Sequence, residues 1–79
     1  MPKYIVSCVD YGDTCDGHAR IIGMFKDYSN ALAFVMDDMK FVHEENGYPI
    51  NNRKLEVMND DGTDGSVWSI HDVSNMKIR

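Results

Sequence analysis

The 79-residue chain is poor in cysteine, proline and glycine. It contains two cysteines, two prolines and six glycines. Two cysteines cannot build the multiple-disulfide framework of a small secreted domain, so we expect free thiols. Sparse glycine and proline exclude a collagen-like or linker-like chain. With 43% hydrophobic and 27% charged residues, the composition indicates a globular domain rather than a disordered segment.

Long apolar runs are also missing. No stretch approaches the roughly 20 apolar residues that a membrane-spanning helix needs. No basic segment followed by an apolar one suggests a signal peptide. The sequence therefore predicts a cytoplasmic protein that does not bind membranes. Its length predicts a single domain over residues 1–79, with a thin core.

The chain has few basic residues, 8 against 13 acidic ones, which gives a net charge of −5. A phosphate backbone or an anionic membrane would repel such a chain, so we expect no direct nucleic-acid binding. A basic protein partner would be attracted instead. The alternative is that the acidity only keeps a small protein soluble.

Hydrophobic periodicity predicts the order strand, strand, helix, strand, strand. The strands are expected at residues 3–9, 18–25, 54–58 and 66–73, and the helix at 30–45. Asp27 and Ser29 are candidate N-caps, and Gly47 suits the left-handed C-terminal position. The predicted fold is α+β, a four-stranded antiparallel sheet (ββαββ) with one helix packed on one face. Residues 74–79 are expected to form a short basic tail.

The two cysteines do not define a zinc site or a nucleophile. Cys15 and His18 are three residues apart, and Cys8 could join them, but no paired Cys-x-x-Cys unit is present. Nothing in the sequence places either thiol beside a histidine as a catalytic dyad requires. We therefore expect no catalytic residues, no zinc and no cofactor.

A calcium loop fits no better. Asp60 and Asp64 occupy the first and fifth positions of an EF-hand pattern, but the third is Gly62 and the twelfth is His71. Neither residue supplies the carboxylate that the pattern needs. The segment is instead predicted to be a solvated turn, because Asp and Gly favour turn geometry.

The outward side of the predicted helix is the most informative feature. Its core side is expected to carry an apolar stripe of Leu32, Val35, Met36, Met39 and Val42. Two phenylalanines seven residues apart fall on the other side, among carboxylates. The candidate protein-binding residues are therefore Phe34, Asp37, Asp38, Phe41, Glu44 and Glu45. The alternative is that the domain wraps the helix more fully and covers the rings.

Two further sequence features bear on association and on the core. The second predicted strand has Ala19, Ile21 and Phe25 on one face and Ile22 and Met24 on the other, which is typical of a strand covered on both sides or shared with a partner. A homodimer is therefore an alternative. Trp68, the single tryptophan, is expected to anchor the core beneath the helix.

The layout resembles that of small phage and mobile-element proteins of the anti-defence, anti-CRISPR-like kind. The resemblance rests on a strand ending in Gly23-Met24-Phe25, a capped helix with 31–34 reading Ala-Leu-Ala-Phe, and a closing strand with 68–70 reading Trp-Ser-Ile. It implies a stoichiometric inhibitor acting in the host cytoplasm on a nucleic-acid-binding or defence protein. The sequence thus favours a non-enzymatic protein-binding module. The alternatives are a homodimeric structural or accessory protein, and a small-molecule-binding protein or metal-dependent enzyme.

Overall fold

The computed structural model describes residues 3–12 and 15–73 of the protein. The predicted basic tail at 74–79 lies outside the described residues. Along the described chain the elements are β1 (Tyr4–Gly12), β2 (Cys15–Phe25), α1 (Tyr28–Asn46), β3 (Ile50–Asn51), β4 (Glu56–Met58) and β5 (Gly65–Asp72).

The strands form one antiparallel sheet in the order β2-β1-β5-β4-β3. The two strands that are far apart in sequence, β1 and β5, are neighbours in its middle. Val6 of β1, for example, lies opposite Gly23 of β2 and Ile70 of β5. The helix α1 packs across one face. The predicted α+β fold, with one helix on an antiparallel sheet, is confirmed.

The predicted count of four strands is wrong. Ile50 and Asn51 pair with Val57 and Glu56 as a fifth, two-residue strand. Two residues next to Pro49 are too few to show the alternation that identifies a strand in a sequence. The third strand was predicted at 54–58. Residues 52–55 form a turn instead, and the strand begins only at Glu56.

The first two strands are longer than predicted. The Asp- and Gly-rich segment 10–17 was expected to be a loop, yet Tyr11 pairs with Asp16, and Gly12 with Cys15. Two register shifts, between Val6 and Ser7 and between Val9 and Tyr11, leave extra residues in β2. Because β1 is hydrogen-bonded on both sides, sheet pairing overrides the turn preference of these residues.

The core lies between α1 and the sheet. Its buried members are Val6, Cys8, Ala31, Val35, Met39, Val57 and Trp68. The expected position of Trp68 beneath the helix is confirmed. Met36 is not in the core as predicted but 47% exposed. The buried helix residues are Ala31, Val35 and Met39, spaced four apart. Met36 lies about 100° away from Val35 around the helix axis and so faces away from the core.

The helix ends where backbone geometry requires. Gly47 adopts the left-handed conformation (φ 72°), and its N–H donates to the His43 carbonyl at 2.7 Å, as predicted for the C-terminal position. At the other end, Asp27 is the N-cap residue with an extended backbone, but its side chain makes no capping hydrogen bond. The helix therefore starts at Tyr28, two residues before the predicted position.

We expect Gly65→Ala to destabilise the protein more than Gly47→Ala. Both glycines have positive φ, 144° and 72°. At Gly65 an added Cβ would also collide with the Val57 carbonyl oxygen and lie 2.8 Å from the Met58 Cα, whereas the space around Gly47 is open. Gly47→Ala should cost about 1 kcal/mol, and Gly65→Ala at least twice that.

Urea denaturation of the two variants, compared with the wild type, measures this difference. Equal losses of unfolding free energy would show that the close approach of β4 to Gly65 is unimportant.

Candidate functional site

The structure divides the six candidate binding residues of the helix into two groups. Four of them are exposed: Asp37, Phe41, Glu44 and Glu45. Phe34 and Asp38 are partly buried and contact the sheet side of the molecule. Phe34 and Phe41 lie on the same side of the helix but two turns apart, and only Phe34 is packed against the core.

The expected outward position of Phe34 is wrong. Its ring centroid lies 5.3 Å from that of Phe25, at an interplanar angle of 46°, and it packs against the core. Phe25 ends β2, the outermost long strand, and so covers this flank of the helix. The alternative that the domain wraps the helix is therefore correct for Phe34, while Phe41 remains 60% exposed.

Asp38 has a structural partner. Its Oδ2 accepts a hydrogen bond of 2.8 Å from Nε1 of Trp68, a residue that is 2% exposed. A buried indole N–H without an acceptor would destabilise the fold, so the carboxylate completes the core. Of the adjacent pair Asp37 and Asp38, only Asp37 is directed to solvent.

The remaining four residues form a surface that we name the acidic aromatic patch: Asp37, Phe41, Glu44 and Glu45. Asp37 precedes Phe41 by four residues, and the two glutamates follow it by three and four. Residues at these spacings are neighbours on a helix surface. A largely exposed aromatic ring is thus flanked by three carboxylates.

A second polar cluster, not anticipated from the sequence, joins three strands. The Asp10 carboxylate accepts hydrogen bonds from Ser66 Oγ at 2.6 Å, from Arg20 Nη2 at 2.8 Å and from Cys8 Sγ at 3.7 Å. Burial by itself would raise the pKa of Asp10, but the hydrogen bonds from Ser66 and Arg20 outweigh it and hold the pKa below its usual value. Strand pairing brings the group together across up to 56 residues of sequence.

The same surroundings make Cys8 a poor nucleophile. Burial, followed by the nearby Asp10 charge, raises the pKa of its thiol from 9.0 to about 11. The thiol is therefore protonated at neutral pH, whereas nucleophiles and metal ligands are thiolates. The side chains of Cys15 and His18 lie outside the described part, so the zinc hypothesis stays untested there. Elsewhere in the described chain, no group of three His, Cys, Asp or Glu side chains could hold a metal ion.

Ser7 and His71 meet on the sheet face away from the helix. Ser7 Oγ lies 2.8 Å from His71 Nε2, and the two residues are 64 positions apart, so no sequence pattern indicates the pair. The distance suits a nucleophile and its base. By strand alternation the neighbouring Asp72 projects to the opposite face of the sheet. We interpret the contact as a hydrogen bond between neighbouring strands.

A groove of about 590 Å³ lies at the β3–β4 end of the sheet. Its wall includes the carboxylates of Glu56, Asp60 and Asp61, together with asparagine amides. Those groups accept hydrogen bonds but include neither an activated nucleophile nor a cation to bind an anionic substrate. The groove lining therefore indicates no particular catalytic reaction.

Across the described ranges, the single helix is too polar to cross a bilayer. Comparison of the chain with protein-family models, with curated proteins and with solved structures gave no match.

We expect Asp38→Ala to lower the free energy of unfolding by about 1–3 kcal/mol, because it leaves the buried indole N–H of Trp68 without an acceptor. The neighbouring Asp37→Ala is the matched control and should stay within about 0.5 kcal/mol of the wild type. Urea denaturation followed by Trp68 fluorescence measures both. Equal stability of the two variants would contradict the structural role of Asp38.

Cys8 should resist thiol reagents in the folded protein. In a Cys15→Ser variant, labelling with a chromogenic disulfide at pH 8 should be slow and should accelerate in urea, because the thiol is buried and its pKa is about 11. The raised pKa stabilises the fold below about pH 9, and this contribution is lost as the pH rises towards 11. Rapid labelling at pH 8 without denaturant would show that the thiol is accessible.

Proposed function

We propose that this protein is a binding module that acts by stoichiometric association with a basic protein through the acidic aromatic patch. The observation that carries the proposal is Phe41, which is 60% exposed on a helix and flanked by carboxylates. An exposed aromatic ring within a charged rim is a common arrangement of a binding hot spot.

Each part of the patch has a separate role in this proposal. The Phe41 ring is the anchor, which loses its contact with water when it enters an apolar pocket of the partner. Asp37, Glu44 and Glu45 form the rim, where charge speeds association and selects the partner more than it adds affinity. The partner should therefore present a small apolar pocket bordered by lysines or arginines.

Surfaces of that kind are typical of proteins that bind nucleic acids. Asp37 and Glu44 are seven residues apart, which separates them by roughly 10 Å along the helix. Carboxylates at such positions can pair with basic side chains that would otherwise contact phosphates. Occupying such a surface would exclude the nucleic acid, so we propose inhibition of a nucleic-acid-binding or defence protein, in line with the anti-defence resemblance.

The partner-binding prediction is tested with Phe41→Ala and Met36→Ala, two truncations of exposed apolar side chains on the same helix. Tagged proteins are used to capture partners from a native-host lysate, and each recovered partner is titrated by calorimetry. We expect Phe41→Ala to weaken binding at least tenfold, and Met36→Ala to bind like the wild type. Both variants should keep their stability within about 0.5 kcal/mol, because both side chains are largely exposed.

Charge is tested separately with Glu44→Gln and Glu45→Gln combined. This double variant should associate more slowly and with a weaker dependence on salt than the wild type. A partner that binds the Phe41→Ala variant as tightly as the wild type would overturn the proposal. Phe34→Ala is unsuitable as a probe, because its contact with Phe25 makes it a stability variant.

A further inference from the structure

The sheet face away from α1 is largely apolar, although it also carries Ser7, Ser69 and His71, and it is uncovered within the described structure. We name it the open sheet face. Alternation places on it the side chains of Ile5, Val9, Tyr11, Ile21, Met24 and Val67. Ile21 and Met24 are 61% and 60% exposed, and Tyr11 is 40% exposed. The values for Ile21 and Met24 match that of Phe41, and both side chains lie on β2, three residues apart.

This face also lacks the charge of the rest of the molecule. Among the strand residues whose side chains are described, alternation places one carboxylate there, Glu56, and no lysine or arginine. Charged residues make up 27% of the chain as a whole. Depletion of charge together with exposed Tyr, Met and Ile is what distinguishes the core of a protein interface from ordinary surface.

We infer that the open sheet face is the interface of a homodimer, in which two copies pack face to face as a sandwich. Among the described strand residues a basic partner would find only the Glu56 carboxylate here, whereas a second copy presents the same nearly neutral surface. A two-fold axis brings identical patches together, so the surface needs only to be self-complementary. This inference goes beyond the proposed function and does not depend on it.

The size of the face is sufficient for a dimer. Five strands at about 4.8 Å spacing, with central strands of eight or nine residues at about 3.3 Å each, cover on the order of 500 Å² after allowing for the short β3 and β4. Two copies would then bury on the order of 1,000 Å² together, which is about the minimum for a specific interface and suits a weak, reversible dimer. Such burial would also supplement a core of seven buried hydrophobic residues.

Edge-to-edge pairing through β2 is less suitable. Although β2 is the outermost long strand, its two register shifts relative to β1 place extra residues in β2 itself. Bulges of this kind twist an edge strand and oppose its pairing with another strand. The register shift beside Ile22 places Ile21 and Met24 on the open sheet face and turns Ile22 and Phe25 towards the core, so the predicted grouping of Ile21 with Phe25 is wrong. We assign the face of Ile21 and Met24 to the face-to-face contact.

The sandwich leaves both helices on the outside. The acidic side chains Asp37, Glu44 and Glu45 then face away from the interface, at distances where salt screens their mutual repulsion. A dimer of this kind would present two acidic aromatic patches, on opposite sides.

The experiment compares Ile21→Lys/Met24→Lys with Met36→Lys, an exposed methionine on the helix. Sedimentation equilibrium is run from 1 µM to 1 mM at physiological salt. The wild type and Met36→Lys should form dimers within this range, and the double variant should remain monomeric, its dissociation constant raised at least 100-fold. Circular dichroism of dilute samples, where each protein is monomeric, checks that all three are folded.

A wild type that is monomeric at 1 mM overturns the inference, as does a double variant that dimerises like the wild type. Should the double variant fail to fold, a dilution series of amide NMR spectra of the wild type decides instead. Concentration-dependent shifts should map to the open-face residues of β1, β2 and β5. Shifts confined to the exposed side of α1 would assign association to the helix and refute the sandwich.

Discussion

The contact between Trp68 and α1 is the constraint on which the rest of the structure depends. Trp68 lies near the middle of β5, beneath the helix, and its indole N–H donates to Asp38. A large ring with one polar atom can be buried only where an acceptor meets that atom. The hydrogen bond therefore sets the rotation of the helix relative to the sheet, and with it the set of residues directed to solvent.

That rotation explains the composition of the acidic aromatic patch. With Asp38 directed towards Trp68, the side of the helix that carries Phe34 and Phe41 lies along the flank, where Phe25 covers Phe34 and leaves Phe41, two turns further along, exposed. Position along the helix axis, roughly 10 Å for seven residues, separates the covered ring from the exposed ring. The patch is accordingly a consequence of core packing rather than of the helix sequence taken alone.

One helix can cover only one face of a sheet, which leaves the protein with two surfaces of different character. The outer side of α1 is charged and carries the exposed ring of Phe41. The open sheet face is nearly uncharged and carries several adjacent apolar side chains, among them Ile21 and Met24. The first suits a partner of opposite charge and the second a copy of the same chain, so the proposed functions of the two surfaces are compatible.

The sequence by itself determined the fold class, the one helix and its end at Gly47, because these depend on local periodicity and on backbone conformations that few residues tolerate. Only the tertiary structure decided the fifth strand at 50–51 and the separation of Phe34 from Phe41. It also decided the meeting of Asp10 with Ser66 across the sheet. Each of these depends on pairing or packing between distant segments, whose register and rotation are not encoded in any local pattern.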